Sequence, residues 1–263
     1  MKARVLIPIG YGLNCEEETE NAFKLAGAKV DKIFIKDLES CPEKILEYEI
    51  LAIIGGFSYA DHVAAGTILK NKFKYSMQNE FEKFIEEGNL VIGICNGFQV
   101  ILKMGLLPGI NKEQVATLTV NSSGKFEDRW IHVKVNENSS CIFTKGIKDL
   151  RMPVRHGEGR FLASRKILER IEKEKMIVLQ YCKEKTKKPT MSYPENPNGS
   201  LKAIAGICNK KGNVFGLMPH PEAALNPYLH PEWQRLKFKN TLPKNTAFQI
   251  FCNVVSYANE NLV

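Results

Sequence analysis

Short apolar runs alternate with amphipathic stretches over the first hundred residues, the pattern of a parallel sheet with helices packed on its faces. "RVLIPI" (4–9) predicts a first strand, "EEETENAFKLAG" a helix closing at Gly27, "VDKIFI" a second strand, and "EILAII" a third that stops at Gly55 and Gly56. "MQNEFEKFIEEG" sets Phe81, Phe84 and Ile85 on one helical face and closes at Gly88. "NLVIGI" (89–94) then predicts a fourth strand, too apolar for a sheet edge and therefore central.

Beyond residue 110 the period shortens. "VATLTV", "WIHVKV", "MIVLQY", "LKAIAGI" and "NVFGLM" predict short strands that extend the same sheet as antiparallel additions and hairpins, and "NPNGS" (196–200) carries an Asn-Gly turn. The chain closes with "NTAFQIFCNVVSYANE", a helix with Phe248, Phe251, Val255 and Ala258 at helical spacing behind a cap at Asn245. No repeat or linker divides the chain, so residues 1–263 are expected to form one α/β domain.

Composition narrows the classes. A chain of 263 residues, 44% hydrophobic, can bury one substantial core. The net charge of +8 is spread among acidic neighbours, and the one dense basic run, "KEKTKK" (183–188), has no interleaved aromatics; no nucleic-acid partner is expected. Seven cysteines, odd in number and without a CxxC pair, point to a reducing compartment and to no resident metal. The opening "MKARVLIPIG" is too short and too quickly followed by acidic residues for a signal peptide, and no run approaches the roughly 20 apolar residues of a membrane span. A soluble cytoplasmic protein is expected.

The chemistry centres on "GICNG" (93–97). Cys95 ends the strand expected to be central, and ligands of open α/β sheets bind at the carboxyl ends of strands. Flanking glycines permit the sharp strand-to-helix turn of a nucleophile elbow, and a helix N-terminus there favours thiolate. The other six cysteines, Cys15 among them, read as buried core. A thiol nucleophile needs a base. His132 and His230 read as structural, His62 sits near a glycine-rich loop, and His156 in "RHGEGR" and His220 in "MPHPE" each have Glu two residues on. In extended chain i and i+2 face one side, so His220 with Glu222 is preferred over His156, which lies in a loop between glycines. An oxyanion would be met by the Asn96 amide and an amide of "GGFSY".

Cys95, the Gly55-Gly56 loop and His220-Pro221-Glu222 together resemble the class I, triad-type glutamine amidotransferases. "GGFSYADHVAAG", "GLLPG", "HGEGRF", "NPNGSLKAIAGICN" and "GNVFGLMPHPE" are similar to the glutaminase family of phosphoribosylformylglycinamidine synthases. The resemblance implies a flavodoxin-like fold, a mostly parallel sheet flanked by helices. It implies Cys95 as the nucleophile toward the glutamine side-chain amide, His220 as base then acid, and Glu222 as its orienting carboxylate. It further implies Gly56 and Asn96 as oxyanion donors, with Gln99, His156 and Gly157 around the bound glutamine. No cofactor would reside in this chain: ATP and magnesium would sit on a large synthetase partner, accompanied by a small accessory subunit. Consistent with that division, the chain has no GxxxxGK[ST] loop and no complete GxGxxG.

Two positions depart from the family pattern, Ala60 where glycine is common and Ala223 where arginine is frequent. Residues 225–246 lengthen the connection to the last helix. Tyr228, Trp233 and Phe238 stand there among Arg235, Lys237 and Lys239, a mixture expected either at a partner surface near the mouth of the site or packed back onto the chain's own core. DJ-1-type cysteine hydrolases also place cysteine at an elbow but lack "GGFSY" and "HPE".

Overall fold

In the computed structural model, which describes residues 1–242 and 246–263, the run expected to be central is buried at every position from Leu90 to Ile94 and lies inside a nine-stranded sheet. The first half comprises β1 (Arg4–Ile9), α1 (Glu16–Leu25), β2 (Lys29–Phe34), α2 (Ile35–Ser40), β3 (Ile50–Ile53), α3 (Thr67–Glu86), β4 (Leu90–Ile94) and α4 (Asn96–Lys103). The second comprises β5 (Ala116–Thr119), β6 (Glu127–Val135), β7 (Asp149–His156), β8 (Arg160–Ala163), α5 (Arg165–Lys173), β9 (Ile177–Tyr181), β10 (Ile204–Cys208), β11 (Val214–Leu217), α6 (Trp233–Phe238) and α7 (Phe248–Asn261).

The sheet order is β2-β1-β3-β4-β11-β10-β9-β6-β7. The first five strands are parallel and follow the 2-1-3-4-5 order of flavodoxin-like folds, with β11 as the fifth; the last four pair antiparallel. Right-handed crossovers put α1 on one face and α2, α3 and α4 on the other. α7 returns to the α1 face, where Phe23 and Phe251 meet edge to face at 5.0 Å. Fully apolar strands such as Ile50–Ile53 and Val214–Leu217 follow from burial on both faces.

Several elements differ from expectation. "VATLTV" does not extend the main sheet: among the described residues β5 pairs with β8 alone, as a separate two-stranded ribbon. Ile35, expected to end the second strand, starts α2 and turns into the core. α3 begins ten residues before the expected helix, because Leu69 and Phe73 carry the buried stripe through a lysine-rich stretch; the expected start, Met77, is where the helix kinks. "DLRMPVRH" was not expected to be a strand, since Pro153 breaks its pattern, yet an edge strand tolerates proline and β7 is the sheet's last strand. α5, capped by Ser164, is an element the sequence reading did not name, although Ile167, Leu168 and Ile171 share one face and pack on the core. The Asn245 cap lies outside the described residues. No described helix is long and apolar enough to cross a membrane.

Candidate active site

β1, β3, β4 and β11 end side by side, and the loops after them build one buried site. Cys95 is the residue between β4 and α4, with φ 52° and ψ −105°, a conformation that non-glycine residues seldom hold without a functional reason. Its amide donates to Leu217 O at 2.8 Å, tying the elbow to β11. The glycines read from the sequence are needed for space: a side chain on Gly97 would collide with the Ile53 carbonyl, so α4 could not start this close to β3. The thiol is buried, with Sγ 3.7 Å from Arg155 O.

The oxyanion candidates follow from the same loops. Phe57 N to Gly12 O (2.7 Å) and Asn14 N to Gly55 O (3.3 Å) stitch the loop after β3 to the loop after β1. Gly56 between them takes φ 137°, open only to glycine, and its N–H donates to no protein acceptor among the described residues. The Asn96 amide, at the first position of α4, is likewise uncommitted among them. An anion beside the thiol would meet free amides at a helix N-terminus.

His220 lies just past β11, held by its own amide on Pro153 O at 2.9 Å. The β6–β7 hairpin therefore curls back over the sheet to set the histidine. Pro221 turns the chain into a 3₁₀ turn, Pro221–Ala223, so Glu222 reaches His220 through a turn rather than along an extended strand. Their contact is short, Nδ1 to Oε1 at 2.5 Å, and both side chains are buried. Burial opposes charge on the imidazole, but Glu222 and Cys95 outweigh it and hold the His220 pKa well above the ordinary histidine value. Nδ1–H donates to Glu222, and Nε2, the nitrogen free to receive the thiol proton, has no partner among the described residues. A methyl group placed on Gly55 would stand 2.9 Å from His220 Cε1 and 3.5 Å from Cys95 Cβ, so Gly55 lies against both the ring and the nucleophile.

His156 ends β7 rather than lying in a loop, and it is not free to act as base. Nδ1 is 3.1 Å from Asn121 Oδ1 and Nε2 is 3.4 Å from Asn198 Nδ2. That pattern requires a neutral ring with the proton on Nδ1. Asn198 also donates to Tyr181 Oη and accepts from Ser200 Oγ, at 3.0 and 2.7 Å. "HGEGR" and "NPNGS" thus meet in one buried polar network. Gln99 accepts from Asn96 Nδ2 (3.0 Å) and donates to Glu158 O (2.6 Å), fastening α4 to this loop. Gly157 O accepts the Asn121 amide at 2.9 Å, and the Phe126 ring stands 4.0 Å from where a Gly157 Cβ would be.

Burial, with the charge of His220, pushes the His156 pKa down to about 3. An unfolded histidine titrates near pH 6.5. The folded-state pKa is the depressed one, so the network's stability is complete above about pH 6.5 and is lost as pH falls toward about 3, by up to ~1.4 kcal/mol per unit. Thermal melts at pH 6 and pH 5 should therefore diverge by roughly 1 kcal/mol more in the wild type than in His156→Gln. Parallel pH profiles for the two proteins would refute the neutral, buried assignment.

Sequence reasoning missed the parts of Asn121 and Asn198, which lie far from the catalytic motifs, and the nearness of Cys15 to the site. Cys15 is buried as expected but not remote, its Sγ 4.0 Å from His220 Nδ1. Its signal was "GLNCEEE", a cysteine before a helix in the loop after the first strand. His132 and His230 lie elsewhere, His132 on β6 and His230 packed at a tilt against Trp130 with centroids 5.2 Å apart.

Residues 2–258 match the model of the CobB/CobQ-like glutamine amidotransferase domain. The chain is 42% identical over 270 residues to phosphoribosylformylglycinamidine synthase subunit PurQ of Methanococcus maripaludis, covering 99% of this chain and 100% of the relative. It is 40% identical over 260 residues to the protein of the same name from Dehalococcoides mccartyi, covering 98% and 99%. Among solved structures, a chain of PurLQS from Thermotoga maritima superposes with a TM-score of 0.72 at 30% identity, covering 98% of this chain and 99% of that one.

Proposed function

Because this chain belongs to the CobB/CobQ-like glutamine amidotransferase family, we propose that it is the glutaminase component of a phosphoribosylformylglycinamidine synthase, releasing ammonia from glutamine for purine biosynthesis. The observation that carries the reading is the buried His220–Glu222 pair beside a cysteine held in a strained elbow. His220 Nε2 accepts the Cys95 thiol proton as sulfur adds to the side-chain carbonyl of glutamine. The Gly56 and Asn96 amides meet the oxyanion. Collapse of the adduct breaks the C–N bond, His220 returns the proton to the departing ammonia, and a thioester remains. Water, deprotonated by the same imidazole, then releases glutamate. Glu222 keeps the proton on Nδ1 throughout. Gln99, His156 and Gly157 shape the amino-acid end of the pocket, His156 through its network rather than by proton transfer.

Ammonia must be consumed on a synthetase chain carrying ATP and magnesium, with a small accessory chain completing the complex. The extended segment supports a docked surface: Tyr228 and Phe238 are 53% and 90% exposed, and Trp233 packs edge-on against Tyr228 at 5.5 Å. The segment also borders a groove shared with Glu222, Ala223 and Arg155.

Peptide mapping after treatment with a glutamine-mimicking electrophile tests the site. Label is expected on Cys95 alone and suppressed by excess glutamine, although Cys41 and Cys252 are more accessible. Label following accessibility instead would remove Cys95 from the role.

A further inference from the structure

The glutaminase mechanism uses one face of His220 for Cys95 and the other for Glu222, and leaves Cys15 without a task. Cys15 stands immediately before α1 in the loop after β1, which the Gly56 stitching holds against the site. Its Sγ, a ring nitrogen of His220 and a carboxylate oxygen of Glu222 all lie within 4.8 Å of one another, and all three residues are buried. The second carboxylate oxygen, Glu222 Oε2, is buried without a partner among the described residues. A thiol, an imidazole and a carboxylate thus converge on the Nδ1 side of His220, away from the nitrogen that serves the nucleophile.

We propose that Cys15, His220 Nδ1 and Glu222 form an inhibitory site for a thiophilic divalent cation, Zn²⁺ by ligand type. The inhibitory effect rests on the reading of His220 as base; the binding does not. Zinc bonds of about 2.3 Å to sulfur and about 2.0–2.2 Å to nitrogen and oxygen set tetrahedral ligands roughly 3.3–3.7 Å apart. Nδ1 and Oε1 now stand 2.5 Å apart, and Nδ1 and Sγ 4.0 Å apart. Each separation therefore changes by about 1 Å or less on binding. A thiolate with an imidazole selects Zn²⁺ over Mg²⁺, which prefers oxygen ligands. The fourth position is left for water.

The proton balance gives the consequence. The metal takes the place of the Nδ1 proton, which leaves to solvent with that of the Cys15 thiol. The ring then keeps a proton on Nε2 that it can give up only by becoming an imidazolate, so it can no longer take the Cys95 proton or return one to ammonia. The metal acts through the protonation of His220, without touching the nucleophile.

The test uses the glutaminase assembled with its synthetase partner and Zn²⁺ alone in a metal buffer, with Mg²⁺ as control. Glutamine-dependent turnover should fall while ammonia-dependent turnover holds. Cys15→Ala should keep wild-type turnover without zinc and raise the half-inhibitory Zn²⁺ concentration by about tenfold or more. Independently of activity, Co²⁺ should give a thiolate-to-cobalt absorption band that survives Cys95→Ser and disappears in Cys15→Ala. Equal zinc sensitivity of wild type and Cys15→Ala, or a band that requires Cys95, would overturn the site. A cobalt band on Cys15 with undiminished turnover on metal loading would keep the site and overturn both the inhibition and the assignment of His220 as base. If Cys15→Ala does not fold, Cys15→Ser takes its place, and a thiolate band that persists in it would equally overturn the site.

Discussion

Cys95→Ala is expected to lower glutamine-dependent turnover of the assembled synthase by roughly 10⁴-fold or more, the scale of losing a nucleophile from an acyl-transfer triad. Turnover supported by added ammonia should stay near the wild-type value. The size of the loss follows from what no neighbour can replace. The elbow fixes one side chain at the end of β4, in a backbone conformation with φ 52°, beside the uncommitted Gly56 and Asn96 amides. Cys15 shares the histidine but lies on its Nδ1 side, where Glu222 occupies the ring. It cannot accept the substrate at the oxyanion donors. Paired assays with glutamine and with ammonium salt check the result, and substantial glutamine-dependent activity in the variant would exclude Cys95 as nucleophile. Loss of both activities would instead indicate that the variant no longer seats its partner.

What the sequence disclosed, and what it hid, divides along physical lines. The elbow was legible because its requirements are local: an apolar strand, a cysteine, and glycines where the helix start presses on the neighbouring strand. His220 and Glu222 were legible for the same reason, being two residues apart, although the turn that joins them was not. The parallel half was readable from runs buried on both faces. The antiparallel half was less so, because a short alternating strand declares a face and not a partner; hence β5 pairs with β8 outside the main sheet. His156 was misplaced in a loop because Pro153 obscured β7, and its network depends on Asn121 and Asn198, which approach it from 35 and 42 residues away. Cys15 lies 205 residues from His220. Contacts of that separation exist only once the sheet has brought strand ends together, so no local pattern could announce them.

Gly55→Ala is expected to lower the glutamine-dependent kcat by roughly 100-fold, the cost of displacing a catalytic group by about 1 Å. The added methyl would lie 2.9 Å from His220 Cε1, 3.2 Å from Cys15 Sγ and 3.5 Å from Cys95 Cβ. The first separation is below ordinary carbon–carbon contact, so something must move. Gly55 itself is not held in a left-handed conformation, and alanine meets no backbone penalty of that kind. Cys95 is fixed by the elbow and its amide bond to Leu217, which leaves the imidazole to yield. Its backbone is pinned to Pro153 and its Nδ1 to Glu222, so the ring can only swing about that bond and carry Nε2 off the thiol. Overpacking of this kind costs about 1–3 kcal/mol of stability, too little to unfold a domain with ordinary reserves, so the fold should persist while the chemistry fails. Steady-state kinetics with glutamine, ammonia-dependent turnover and a thermal melt separate the two effects. Wild-type kcat in a folded Gly55→Ala protein would mean that His220 has slack in its seat, and that the missing side chain at residue 55 does not set the distance between base and nucleophile.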